Sequence, residues 1–499
     1  MLSRCLNQSI CQKLLAFLAV AAVLTLPSTS FANNGAANNG AANNGGANNN
    51  NGANNNGANN NGANNNGAAG AAGVEIDPQG VLRLMKSNRN VTMARMRQAR
   101  QQLPPNLARA SKMRKVSLNR LEAEVAKLVA EGKQPTADMV AMAGMTRLEY
   151  VFFYPESGDI VLAGPAEGFA TDSVGRVVGV NTGKPCLLLE DVIVALRAFG
   201  PEALNTGRTQ MNQISVSIDP TQEGLARMQQ TLRQLGGTMS SARDIPIIVN
   251  ALRQSLGLNE VTIKGIPAGT HFAHLLTEAD YRMKLIGIGL ERPPVPMTTY
   301  ISKASASGAS SNALVRWYFV PDYEAVASSE DGNALKLVGQ GVKLIGEDEL
   351  VSRDGTRRAG GRANMASKAF TTSFTKKFRQ ISENSEVYSQ LRNLVDLTVA
   401  AAFIQDRGFY ETSGWNLGVF GDEDKLPVEV YPAPKRVETA INAVMKGNRL
   451  ITPIGGGVSI EARKALADEN VAADEDGKIA EARTQVQLEG IAKGQWWWD

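Results

Sequence analysis

His271, His274 and Glu278 are the residues of this chain best placed to do chemistry together. At positions i, i+3 and i+7 of a helix they share one stripe, so two imidazoles and a carboxylate can converge on one ion. Zinc or iron is the divalent metal such a set would take. A catalytic zinc needs three protein ligands, and with two histidines in the whole chain the third must be Asp or Glu. The spacing is not H-E-x-x-H, because no Glu stands beside His271. Glu278 with Arg282, and Asp280 with Lys284, are ordinary i, i+4 helix pairs, which favours a partly exposed structural stripe. His271 is also the candidate general base, but its nucleophile would have to come from a distant segment that the sequence does not reveal.

The element that must position these residues opens at Thr270, a favoured N-cap. Phe272, Leu275, Leu276, Ala279, Met283 and Ile286 then fall on one face that has to be buried, with the histidine stripe beside it near the boundary with solvent. Other motifs are incomplete. Asp474 to Ile479 resembles part of a calcium loop, yet in that register Ala472 holds the first ligand position and Arg483 the last. Ser373 to Lys376 fits S-x-x-K inside a helical stretch without its companion motifs. Gly339, Gly341 and Gly346 match neither a dinucleotide nor a phosphate-loop spacing, so no nucleotide cofactor is expected.

Eleven Lys or Arg and no Asp or Glu lie between Arg83 and Arg120. Arg95, Arg97, Arg100, Lys112, Arg114 and Lys115 are its binding candidates. No aromatic interleaving accompanies them, which points away from nucleic acid and toward acidic envelope polymers or anionic headgroups. The competing expectation is intramolecular: the stretch from Glu461 carries nine acids against five bases and can lie against the basic segment. Trp496, Trp497 and Trp498 close the sequence before Asp499. Three indoles are costly to leave in water, so they either pack into a groove of their own domain or dock on a partner.

Residues 1–32 read as a secretory signal peptide: Arg4 and Lys13, an apolar run from Leu14 to Leu26, Pro27, and small residues at Ser30 and Ala32. The apolar run is short for a membrane span, which takes about 20 residues. Its removal takes Cys5 and Cys11 and leaves Cys186 alone, so stability must come from a buried core rather than a disulfide. The 50 basic and 48 acidic residues that remain are nearly balanced and imply no polyanion partner by themselves. Residues 33–73 contain Asn, Gly and Ala only. With no apolar surface to offset the entropy of ordering, they read as a disordered tether spanning about 35 Å.

Periodicity supplies the rest. A turn at Asp77, Pro78 and Gly80 joins two short strands, and Pro104-Pro105 divides the basic segment into two helices, the second running from Ser117. Residues 146–165 form a hairpin, 189–199 a helix, and Asp219 with Pro220 opens another. Further helices are expected at 245–256, 364–383 and 385–406, the last apolar but interrupted by Asp396, hence a core helix rather than a span. Hairpins mixed with helices, without regular alternation, give an α+β fold in two lobes behind the tether. The expected divisions are 74–145, a turn and basic helical segment; 146–297, an α+β lobe with the histidine helix; 298–466, a β-rich then helical lobe; and 467–499, an acidic tail.

The phrases "RLEYVFFYPESGDIVLAGPAEGF", "ISVSIDPTQEGLARMQ", "THFAHLLTEADYRMKLIGIGLE", "LRNLVDLTVAAAFI" and "NAVMKGNRL" with "GGGVSIEA" resemble a family of exported planctomycete proteins known only as a domain of unknown function. The resemblance runs over about residues 74–465 and implies export and a shared architecture, with no activity or catalytic residue to carry over. The expectation is a periplasmic, cell-envelope or secreted protein, not integral to the membrane after cleavage. Its leading role is a non-enzymatic binding or structural module meeting an envelope polymer or envelope protein. The alternative is an exported hydrolase using His271, with or without a metal at His271, His274 and Glu278.

Overall fold

The computed structural model describes residues 73–499 except 202–212, 236–240, 306–312, 323, 325, 363, 447, 486–487 and 489–490. The expected signal peptide and all but the last residue of the Asn/Gly/Ala tract lie outside these residues. The fold is α+β, as its patterning implied. Among the described residues the largest sheet has ten strands. In order they are Val74–Ile76, Val81–Leu84, Arg436–Glu438, Leu258–Lys264, Ile214–Asp219, Asn448–Ile460, Ala313–Pro321, Val342–Val351 and Arg357–Arg362, with Ile441–Lys446 pairing to Asn448–Ile460. A second sheet of seven strands runs Val471–Ala473, Val326–Ser328, Ala334–Leu337, Tyr150–Tyr154, Asp159–Ala166, Ser111–Ser117 and Trp497–Trp498.

Both sheets draw strands from either side of residue 297, so the expected lobe boundary there is not a break in the fold. The reason is long-range pairing: Ala313–Pro321 lies parallel to Asn448–Ile460, which in turn pairs antiparallel with Ile214–Asp219. Local patterning reports which segments are strands and carries no information on which distant strand they meet. One buried apolar cluster extends from Val74 to Trp496. Part of it is an aromatic group: Trp317, Phe319, Phe370, Phe374, Phe378 and Tyr388 meet at ring-centroid separations of 4.6–6.4 Å. The middle of strand Asn448–Ile460 needs glycine: Gly456 has φ +117°, and a Cβ there would run into the Trp317 carbonyl of the neighbouring strand.

Several local expectations hold. The Asp77 carboxylate accepts the N–H groups of Gln79 and Val81, closing the turn between the first two strands. The hairpin pairs Tyr150–Tyr154 with Asp159–Ala166. The two long helices are Met365–Glu383 and Glu386–Asp406. The second packs on the histidine helix, His271–Gly287, and on the helix Leu189–Ala198. No helix among the described residues is long and apolar enough to cross a membrane.

One local expectation holds with an added strand, and one fails for an identifiable reason. The helices on either side of the prolines form, Arg89–Gln102 and Leu118–Ala130, and between them lie the short helix Pro105–Ala108 and an unforeseen strand, Ser111–Ser117, recruited by pairing to Asp159–Ala166. Ser117 then caps the helix Leu118–Ala130 as its sequence suggests. Asp219 is not an N-cap. It ends a strand and meets Arg316 at 2.7 Å, and the helix starts at Gln222, with the Thr221 hydroxyl accepting from the Gly224 N–H.

Candidate functional site

Thr270 caps the histidine helix by accepting the Ala273 N–H, and this fixes where the imidazoles point. Both are inside the protein. His271 is 4% exposed, and His274 and Glu278 are 0% exposed, so the stripe expected near solvent is buried. Sequence periodicity placed the apolar face correctly but missed that the neighbouring polar face meets other polar side chains from distant segments.

The three residues do not converge on a common point; each has its own partners. His271 Nδ1 lies 2.9 Å from both carboxylate oxygens of Asp191, in the first turn of the helix Leu189–Ala198. His271 Nε2 faces the Gln390 side-chain nitrogen at 3.4 Å. Gln390 Oε1 accepts from Arg176 Nε at 2.9 Å, and Arg176 continues to Glu278 Oε2 at 2.6 Å. The other Glu278 oxygen accepts from Arg282, which also holds Glu291. Because the Gln390 oxygen is taken by Arg176, its amide N–H points at the ring. In the neutral ring His271 Nε2 is then the acceptor, and the Nδ1 proton points at Asp191. Arg176 is delivered by a tight loop in which the Asp172 carboxylate accepts the N–H groups of Val174 and Arg176.

The two histidines differ electrically. Burial alone depresses His271, but the charge and hydrogen bond of Asp191, with Glu190 behind it, hold its pKa above the ordinary value. His274 is pushed down to about 4 by burial; its Nε2 faces the Pro432 carbonyl at 3.1 Å, and its ring lies 5.6 Å from that of Tyr431. Glu190, beside His271, is raised to about 7, first by burial and then by Asp191 and Glu429 against the opposing pull of His271.

An aspartate orienting a histidine is half of a hydrolytic triad. Here the position a nucleophile would occupy, beside Nε2, is filled by the Gln390 amide, which is not nucleophilic. Cys186, the free thiol among the described residues, is buried and its pKa is raised by that burial. As a metal centre the set fares no better. Glu278 is neutralised by two guanidiniums, and among the described residues no group of three or more His, Cys, Asp or Glu is arranged to hold an ion. Clefts of about 370, 670 and 390 Å³ open among the described residues, and these are walled by residues other than His271, His274 and Glu278. Asp474, from the partial calcium motif, accepts the Ile479 and Ala480 N–H groups at the start of a helix.

The basic candidates do not form one patch. Arg95 and Arg100 donate to the Asp172 and Val180 carbonyls, while Arg97 and Lys112 are exposed. Arg114 is 0% exposed and turns inward. It holds both carboxylate oxygens of Asp499, at 2.8 and 3.1 Å, donates to the carbonyls of Ala143, Asn106 and Arg109, and lies 4.5 Å from the centre of the Trp497 ring. Lys115 is half-buried, which lowers its pKa against the attraction of Asp499. Trp496 is 5% exposed, and Trp497 and Trp498 pair with Val116 and Lys115. The indoles therefore pack onto their own chain, and the acidic end does meet the basic segment, through Asp499.

Asp191, Gln390 and Arg176 went unnoticed in the sequence. The available signal was polarity out of place: Gln390, Arg392 and Asp396 in an otherwise apolar helix, and Asp191 in "LEDVIVALRAF".

A family model described as a protein of unknown function (DUF1598) matches residues 216–300, from inside the strand Ile214–Asp219 through the whole histidine helix. The match covers a smaller stretch than the 74–465 over which the resemblance was read. No curated protein matches this chain, and no solved structure does.

Proposed function

We propose that this is an exported protein of the cell envelope acting as a non-enzymatic binding or structural module. The observation that carries the non-enzymatic half is the closure of the histidine network: both ring nitrogens of His271 are held by buried protein groups. A general base must have one nitrogen within reach of the proton it takes. The leader-like sequence of residues 1–32 and the Asn/Gly/Ala tract after it support export and tethering.

Fractionation of expressing cells with N-terminal sequencing tests the export half. The expected product begins after Ala32, outside the cytosol, and part of it co-sediments with isolated cell walls. Cytosolic protein still carrying Met1 would overturn the reading. Added zinc tests the other half. The melting temperature should not change, whereas a stoichiometric zinc lost in a His271→Ala, His274→Ala double variant would restore the hydrolase alternative.

A further inference from the structure

The cleft of about 370 Å³ is the right size for a small organic molecule. Its lining comes from the helix Glu386–Asp406, the segment before the hairpin, the end of the helix Met365–Glu383 and the loop at Asn181–Lys184. Four cations line it, Arg147, Lys184, Arg379 and Arg392, against three carboxylates.

The carboxylates are already engaged. Glu167 accepts the N–H groups of Asn181 and Thr182 and the Thr182 hydroxyl. Glu149 stands 3.4 Å from Arg147, and Glu383 stands 3.6 Å from Arg379. The cations are less well satisfied. Arg392 is 6% exposed and donates one N–H to the Gly339 carbonyl at 2.8 Å. Its nearest acid, Asp396, is 3.7 Å away, and the buried Arg392 Nε has no acceptor among the described residues. The buried Arg147 Nε has none either. Lys184 Nζ has no ion pair among the described residues. An unpaired buried donor costs about 1–3 kcal/mol, more on a charged group. Burial first, and then repulsion from Arg147 and Arg379, lowers the pKa of Arg392 against the pull of Asp396. Donors left open on several cations around one cavity are what an incoming anion completes.

We infer that this cleft binds a small phosphate monoester, its phosphate held by Arg147, Lys184 and Arg392. Three donor groups arrive from three separate segments. A carboxylate offers two oxygens in one plane, whereas a phosphate offers three on a tetrahedron and a charge near −2. The remaining volume suits a polar body of sugar size, and Arg379, exposed and also lining the cleft, supplies attraction at a distance. The ligand gives the binding module above its chemical class and rests on that reading for its setting alone.

The test is calorimetric titration of the purified mature protein with inorganic phosphate, a hexose 6-phosphate, the unphosphorylated hexose and citrate. The hexose phosphate should bind more tightly than inorganic phosphate, and the free hexose should give no heat. Lys184→Gln and Arg147→Gln alter partly exposed side chains, so each should leave the melting temperature near that of the parent while weakening the hexose phosphate at least ten-fold. Arg392→Gln should abolish binding, and because it touches a buried pair it is scored only if the variant melts cooperatively. Absence of heat with either phosphate, unchanged affinity in both exposed-site variants, or citrate binding as tightly as the hexose phosphate would each overturn the proposal. None of these outcomes bears on cellular location, which fractionation decides separately.

Discussion

His274 is the residue whose titration reports most directly on burial. Its pKa is about 4 in the folded protein, against about 6.5 in an unfolded chain. Between those values the unfolded chain takes up a proton that the folded protein refuses. The contribution is therefore complete above pH 6.5 and is lost as pH falls toward 4. The shift corresponds to roughly 3 kcal/mol. His274→Gln keeps a donor for the Pro432 carbonyl and does not titrate. The parent's stability relative to this variant, from urea unfolding, should decline by about that amount between pH 7 and pH 4. A difference that stays flat would place His274 in contact with water. Asp280, raised to about 6 by burial, works in the opposite direction: its cost is relieved as pH falls. Both proteins share it, so it cancels in the comparison.

At the scale of elements, the two-residue strand Trp497–Trp498 is held less by its ladder than by the groups flanking it. Trp496 supplies buried apolar area, and Asp499 satisfies a guanidinium that is otherwise sealed from water. Trp496→Ala should cost about 3–5 kcal/mol in chemical denaturation. Asp499→Asn should cost about 1–3 kcal/mol, because Arg114 keeps its three carbonyl partners. Loss of less than about 0.5 kcal/mol in the first variant would mean that the indoles do not pack this way in solution. The two long helices, the early turn and the hairpin were legible in the sequence because local periodicity and turn chemistry decide them. The strand Ser111–Ser117 was not, because its state is set by a distant partner, Asp159–Ala166. The histidine helix was half legible: Thr270 and the apolar face are local facts, but Asp191 and Gln390 reach His271 only through tertiary packing.

For the whole molecule, the shared apolar cluster and the interleaved sheets predict how the protein melts. Scanning calorimetry of the folded portion should give one cooperative transition rather than the two that separate lobes would produce. Two resolved peaks would restore a division near residue 297. Fold class was legible in the order of elements, but domain organisation was not, because strand partners are chosen across hundreds of residues. The position of Asn448–Ile460 has a further consequence for synthesis. It is the strand that joins the Leu258–Lys264 and Ile214–Asp219 half of the large sheet to the Ala313–Pro321 and Val342–Val351 half. A nascent chain leaving the ribosome thus carries two half-sheets with open inner edges until this late strand emerges. From the completion of Val342–Val351 until Asn448–Ile460 follows, the polypeptide depends on being shielded from its neighbours, and a chain ended before Asn448 should be sticky rather than merely shortened.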